Sequence, residues 1–137
     1  MLAHSRRKFL SLFGKAAAVT GLAAVSCQAA SAMPPKKGFI HHVYFWLNNP
    51  GSDADKAKLL EGLRNLAKVK SINEYHIGVP ADTNREVIDS SYAISWMLVF
   101  DDKTAQDSYQ EDPIHLEFVK NYSNLWSKVV VYDSVPA

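Results

Sequence analysis

An α+β fold of order β-α-β-β-α-β is predicted by three features of this 137-residue chain. Four stretches, at 39–47, 71–79, 92–100 and 128–135, are rich in β-branched and aromatic residues and bounded by turn-forming residues. Two others, at 54–68 and after Asp101-Asp102, carry helical spacing or helix-start signals. One helical region follows the first strand and one precedes the last, which is the split βαβ order of ferredoxin-like folds with an antiparallel sheet.

The first strand lies between Gly38 and the turn Asn48-Asn-Pro-Gly51. With a period of two, Phe39, His41, Val43, Phe45 and Leu47 share one face, and Ile40, His42, Tyr44 and Trp46 the other. Both faces are largely apolar, which predicts a strand covered on both sides. Ser52 or Asp53 caps the first helix, where Leu59, Leu60, Leu63 and Leu66 keep helical spacing and lysines with Glu61 take the opposite side. The second strand ends at Pro80, and 81–91 is a polar, turn-rich loop. The third strand sets Tyr92, Ile94, Trp96, Leu98 and Phe100 against Ala93, Met97 and Val99, again apolar on both faces. Asp101 and Asp102 cap the second helical region, which Pro113 splits into two short pieces meeting at Asp112-Pro113. A short turn at 122–126 leads into the last strand. Helices on one side of the sheet cover one apolar face only. A second copy is the expected cover for the other, giving a homodimeric α/β barrel in which two sheets face each other.

Charge is divided along the chain. Arg6, Arg7, Lys8 and Lys15 are the basic residues of the first 32, and all 14 acidic residues come later, so the remainder carries 11 basic residues and a net charge of −3. That balance argues against a nucleic-acid partner, which requires a basic patch to neutralise phosphates. The basic start and the short run of small apolar residues from Ala16 to Val25 form an export signal over 1–32, and Arg6-Arg7 before Phe9-Leu10 resembles the twin-arginine type. The run is too short for a membrane span. Ala30-Ser31-Ala32 fits a cleavage site that releases a soluble periplasmic or extracellular domain. The competing reading takes Ala24-Val25-Ser26-Cys27 as a lipoprotein box, with Cys27 lipidated and the protein membrane-anchored. Residues 33–38, with two prolines and a glycine, are a linker, and 39–136 is the domain. Cys27 is the only cysteine, so the domain has no disulfide and no thiolate.

From about Phe39 to Val135 the chain resembles the stress-responsive dimeric α/β barrel proteins, or Dabb domains. The resemblance rests on HHVYFWL at 41–47, the helix with Leu59, Leu63 and Leu66, the segment Tyr109 to Phe118, and the ending WSKVVVYD at 126–133. It implies the ferredoxin-like fold and a homodimer. The family includes stress-associated proteins and, more distantly, a plant polyketide cyclase that closes its substrate by an aldol reaction without metal or cofactor. The cyclase pattern is a tyrosine, two residues, His-Pro-x-His and a phenylalanine three further on. Tyr109, Pro113, His115 and Phe118 match it, as does His41 in the first strand, whereas Asp112 stands where the cyclase has its first histidine. The resemblance therefore implies catalytic roles for Tyr109 and His115.

The residues can be weighed on their own chemistry. A phenol, a carboxylate and an imidazole fall within seven residues, and His115 and Phe118, three apart, share a helix face. His115 is either a general base or a structural imidazole bonded to a backbone carbonyl. Tyr109 is either an oxyanion donor or a core residue with its hydroxyl tied off. Asp112 either orients the imidazole from behind or caps the helix at Pro113. His41, with Val43 and Phe45 on its strand face, looks into the same space, and Phe118, Trp126 and Val131 complete an apolar lining for an aromatic or acyl ligand; the alternative is a close-packed core. His41 and His42 point to opposite strand faces, and zinc-type spacings are absent, so no metal and no cofactor is expected. The expected function is small-molecule binding in a pocket between sheet and helices, with a cofactor-free lyase or cyclase as the alternative.

Overall fold

The computed structural model describes residues 38–137. The segment read from sequence as an export signal, 1–32 with Arg6, Arg7 and Cys27, and the expected linker up to residue 37 lie outside the described residues. The elements are β1 (Phe39–Leu47), α1 (Asp53–Leu66), β2 (Glu74–Gly78), β3 (Ile94–Phe100), α2 (Lys103–Glu111), α3 (Pro113–Tyr122) and β4 (Trp126–Ser134), with a 3-10 turn at Ser123–Leu125. The sheet order is β2-β3-β1-β4, every neighbouring pair antiparallel. β3 thus lies between β1 and β2, which is the split βαβ arrangement.

Three strand starts differ from the sequence expectation, and β2 and β4 each end one residue earlier than expected. β2 starts at Glu74 rather than Ser71, because Asn73 turns the chain in, bonding Val99 O through its backbone N–H and Asp101 through its side chain. β3 starts at Ile94 rather than Tyr92. Tyr92 instead lays its ring against that of Tyr44, 4.9 Å between centroids. β4 starts two residues early, at Trp126, where it pairs with Leu47 across a register shift between Trp46 and Leu47.

Each helix begins at an acceptor side chain that relieves one unpaired N–H of the first turn. Ser52 Oγ accepts from Asp55 N at 3.1 Å, Asp102 Oδ1 from Ala105 N at 2.9 Å, and Asp112 Oδ1 from Ile114 N at 2.8 Å. Asp101 does not share the capping of α2, since its carboxylate accepts from the Asn73 side chain at 2.7 Å. Pro113 at the first position of α3 has no N–H to satisfy, so the break between α2 and α3 needs a single cap.

The core occupies one side of the sheet. Leu59, Leu63 and Leu66 from α1 meet Val43, Phe45 and Leu47 from β1 and Ile94, Trp96, Leu98 and Phe100 from β3, all buried. Each fully buried large side chain stabilises the fold by about 1.5–3 kcal/mol. The opposite face of β1 is not closed within one chain: Ile40 is 40% exposed, and His42, Tyr44 and Trp46 are half-buried. β4 is an edge strand, with Val129, Val131 and Tyr132 all exposed. Among the described residues no helix is long and apolar enough to cross a membrane.

Candidate functional site

Alternation along β1 carries His41 to the helix-covered side, where it is 6% exposed. α2 delivers Tyr109 in its last turn, and the extended backbone of Asp112 (φ −63°, ψ 135°) followed by Pro113 turns the chain so that α3 brings His115 back over that tyrosine. The ring centroids of Tyr109 and His115 are 4.6 Å apart, and those of His41 and Tyr109 are 6.0 Å apart. Three residues separated by up to 74 positions therefore form one cluster around a phenol that is 1% exposed.

The hydrogen bonds fix where the protons are. Nδ1 of His115 lies 3.1 Å from the carbonyl oxygen of Gln110. A carbonyl only accepts, so Nδ1 carries the proton and Nε2 of the neutral ring holds the lone pair. Nδ1 of His41 lies 2.6 Å from Oδ1 of Asp133 on β4. That carboxylate likewise accepts, and it orients the His41 ring from behind. Trp96 Nε1 donates to the Tyr109 hydroxyl at 3.2 Å. An indole N–H can only donate, so the phenol keeps its own proton free to give.

Burial sets the ionisation states. It holds the His115 pKa below the ordinary imidazole value; the Gln110 carbonyl pulls it back up, the nearby His41 opposes, and Asp112 adds a small upward pull. Burial pushes the Tyr109 phenol above its usual range, partly offset by the Trp96 hydrogen bond. The cluster at neutral pH is therefore a neutral base beside a neutral acid.

The sequence-predicted residues divide into four sets. His41, Tyr109 and His115 come together. Val43, Phe45 and Phe118 are buried in the hydrophobic core, and Trp126 packs on it, 5.1 Å from Phe45 and 5.8 Å from Phe118 between ring centroids. Val131 pairs with Val43 across β1–β4 and shares its face, yet it is 43% exposed, so it forms an apolar ledge beside Asp133. Asp112 acts as the cap of α3. Two contributors escaped sequence reasoning, Asp133 and Trp96. The signal for Asp133 was strand parity, since the alternation that puts Val131 on the helix side puts Asp133 there too. Among the described residues no group of three or more His, Cys, Asp or Glu side chains is gathered to hold a metal ion.

Comparison with known proteins decides the family. The family model of the stress responsive A/B barrel domain, Dabb, matches residues 40–136. The chain belongs to the Dabb family. No curated protein sequence matches it. The Dabb fold is shared with a ferredoxin-like Dabb protein of Mesorhizobium loti, at 20% identity and a TM-score of 0.62 over 74% of this chain and 98% of that one. It is shared too with the hydroxynitrile lyase of Passiflora edulis, at 19% identity and a TM-score of 0.62 over 75% of this chain and 96% of that one. A dimeric ferredoxin-like protein of unknown function from Thermobifida fusca is similar at 15% identity and a TM-score of 0.60, over 77% and 96% of the two chains. These likenesses establish the Dabb domain's architecture, and its chemistry has to be argued from its own residues.

Proposed function

We propose that this protein is an exported, homodimeric Dabb-domain protein that binds a small apolar or aromatic molecule carrying a hydroxyl or carbonyl oxygen. The observation that carries this reading is the cluster itself: Tyr109 between His41 and His115, with His41 held by Asp133 at 2.6 Å. The phenol proton and the free imidazole nitrogen suit a polar oxygen, and the ledge at Val131 suits an apolar body. A thermal-shift screen of aromatic alcohols, aldehydes and acids tests it. Binders at a hundred times their dissociation constant stabilise the fold by about 2.7 kcal/mol. Binding that survives in both Tyr109→Phe and His115→Asn would assign the ligand to another place.

A second reading, a cofactor-free aldol-type lyase or cyclase, is favoured by one observation: the Gln110 carbonyl holds the proton of His115 on Nδ1, leaving Nε2 as a neutral base. In the lyase direction Nε2 takes the proton of a substrate hydroxyl, and the adjacent C–C bond breaks to give a carbonyl. The departing carbon keeps the electron pair and is then protonated. Tyr109 donates a hydrogen bond to the substrate oxygen. The Passiflora neighbour is a hydroxynitrile lyase, so an aromatic cyanohydrin is the first substrate to assay. Aldehyde release lost in His115→Asn supports the lyase; binding without turnover supports the binding protein.

The half-closed face of β1 and the dimeric Thermobifida neighbour support a homodimer. Light scattering that returns a stable monomer overturns it. Export rests on the leader, and intact mass of the mature protein distinguishes a chain starting at Met33 from one lipidated at Cys27.

A further inference from the structure

The sheet face turned away from the helices, which the proposed dimer covers with a second copy, carries a row of polar rings. Alternation puts His42 of β1 on that face, and the strand register continues the row to Met97 and His76 on one side and to Tyr132 on the other. The two imidazoles stand two strands apart, about 10 Å at the usual strand spacing. A β-carbon at Gly78 would lie 3.0 Å from Nε2 of His76, so that ring lies back along its own strand. The Tyr44 ring stacks on His42, 4.4 Å between centroids, and its hydroxyl lies 3.2 Å from His42 Nδ1. Nε2 of His42 is buried and has no hydrogen-bond partner among the described residues. A protonated imidazole carries an N–H on both nitrogens, so the charged His42 ring directs an unpaired donor at this face.

We propose that His42 makes the homodimer acid-labile: its protonated ring opposes the closing of a second copy over this face, so dimers held at neutral pH separate into folded monomers as pH falls. The inference rests on the homodimer of the proposed function. Within one chain, burial already holds the His42 pKa below the ordinary imidazole value, and His76 and then His41 add to the lowering. A second copy removes more water from the ring, and an isologous interface brings another His42 and another His76 to the same face. The ionisable groups around His42 do not offset its charge. Tyr44 and Tyr132, its neighbours on β1 and β4, are phenols, and burial raises Tyr44 above its usual range. Asp133 lies on the other face, bonded to His41. Glu74 is the one carboxylate that the described strands place on this face, and it stands on β2 opposite Val99, nearer to His76 than to His42. Lys128 and Asp89 lie with Trp46 at the far end of β1. A histidine whose pKa is lower in the dimer than in the monomer takes up a proton on dissociation. The dimer is therefore tightest above the ordinary value of 6.5. It weakens as pH falls through the monomer value, by up to about tenfold per pH unit for each His42.

The test is sedimentation equilibrium of the full chain at about pH 7.5 and about pH 5, with far-UV circular dichroism at both. The dimer dissociation constant should be at least about tenfold larger at the lower pH, change less than about threefold in His42→Gln, and change by an intermediate factor in His76→Gln. His115→Asn, altered on the helix side of the sheet, should keep the parental pH dependence. His76 is exposed within one chain, so its variant keeps the test valid where the His42 variant fails to fold. Equal dissociation constants at the two pH values, an undiminished change in both His42→Gln and His76→Gln, a dimer that tightens as pH falls, or helical signal lost together with the dimer would each overturn the proposal. A monomer already at about pH 7.5 would instead contradict the homodimer reading itself, and this inference with it.

Discussion

His41 and Asp133, 92 positions apart, meet through a 2.6 Å hydrogen bond from Nδ1 of the imidazole to the carboxylate. The β1–β4 register places their Cα atoms directly opposite each other. This pair ties the edge strand to the buried phenol of Tyr109, and it predicts that Asp133→Ala frees the His41 ring while Asp133→Asn, which retains an acceptor, does not. Because Asp133 is about half exposed, the stability loss in Asp133→Ala is about 1 kcal/mol or less. Ring-nitrogen NMR checks the orientation: mixed His41 tautomers are expected in the alanine variant and a single one in the asparagine variant.

Tyr109→Phe leaves the Trp96 indole N–H without its acceptor inside a core where both rings are 1% exposed. An unpaired buried donor costs about 1–3 kcal/mol. Urea unfolding should show that loss with an unchanged m-value, and a variant as stable as the parent would mean that another acceptor serves Trp96.

Stability should rise with pH through the range where histidine titrates. Burial lowers the folded-state pKa of His115, and of His42, where His76 and His41 add to the lowering, below the reference value of 6.5. Between the folded and unfolded values the unfolded chain binds more protons, so the contribution is complete above about 6.5 and is lost as pH falls through the unfolded pKa toward the folded one. Urea midpoints at about pH 5 and about pH 7.5 measure this, and His115→Asn should shrink the difference. A midpoint that rises as pH falls would reverse the assignment.

Gly62 sits on α1 with the Tyr122 ring where a β-carbon would go, at 2.9 Å from two ring carbons. Alanine gains about 1 kcal/mol of helix propensity over glycine. Overpacking against a ring costs about 1–3 kcal/mol. Gly62→Ala should therefore be neutral to destabilising in thermal unfolding, and Gly62→Ala combined with Tyr122→Ala should recover part of any loss. A clear gain in the single variant would show that Tyr122 yields freely.

The architecture was legible because local signals agree with the fold: β-branched and aromatic runs bounded by turns in β1 and β3, leucine spacing in α1, and Asp-Pro punctuation at residue 112. Tyr109, His115 and His41 were legible for the same reason, each standing at a position whose face is set by its own element. Asp133 was not, because its partner depends on strand register, and that register shifts between Trp46 and Leu47. Trp96 read as a core residue, which it is; its role toward Tyr109 arises only when α2 packs on β3. The start of β3 was placed two residues early since Tyr92 and Ala93 have strand-like side chains, and tertiary packing of Tyr92 on Tyr44 took precedence.

Ring-nitrogen NMR of the histidines across a pH titration tests whether His41, Tyr109 and His115 form one electrostatically coupled cluster in which His115 is the neutral base. His115 should titrate below 6.5 and, in its neutral form, carry its proton on Nδ1, and its titration should shift when His41 is replaced by glutamine. A His115 that titrates above 6.5, carries its proton on Nε2, or ignores the His41 substitution would contradict that arrangement.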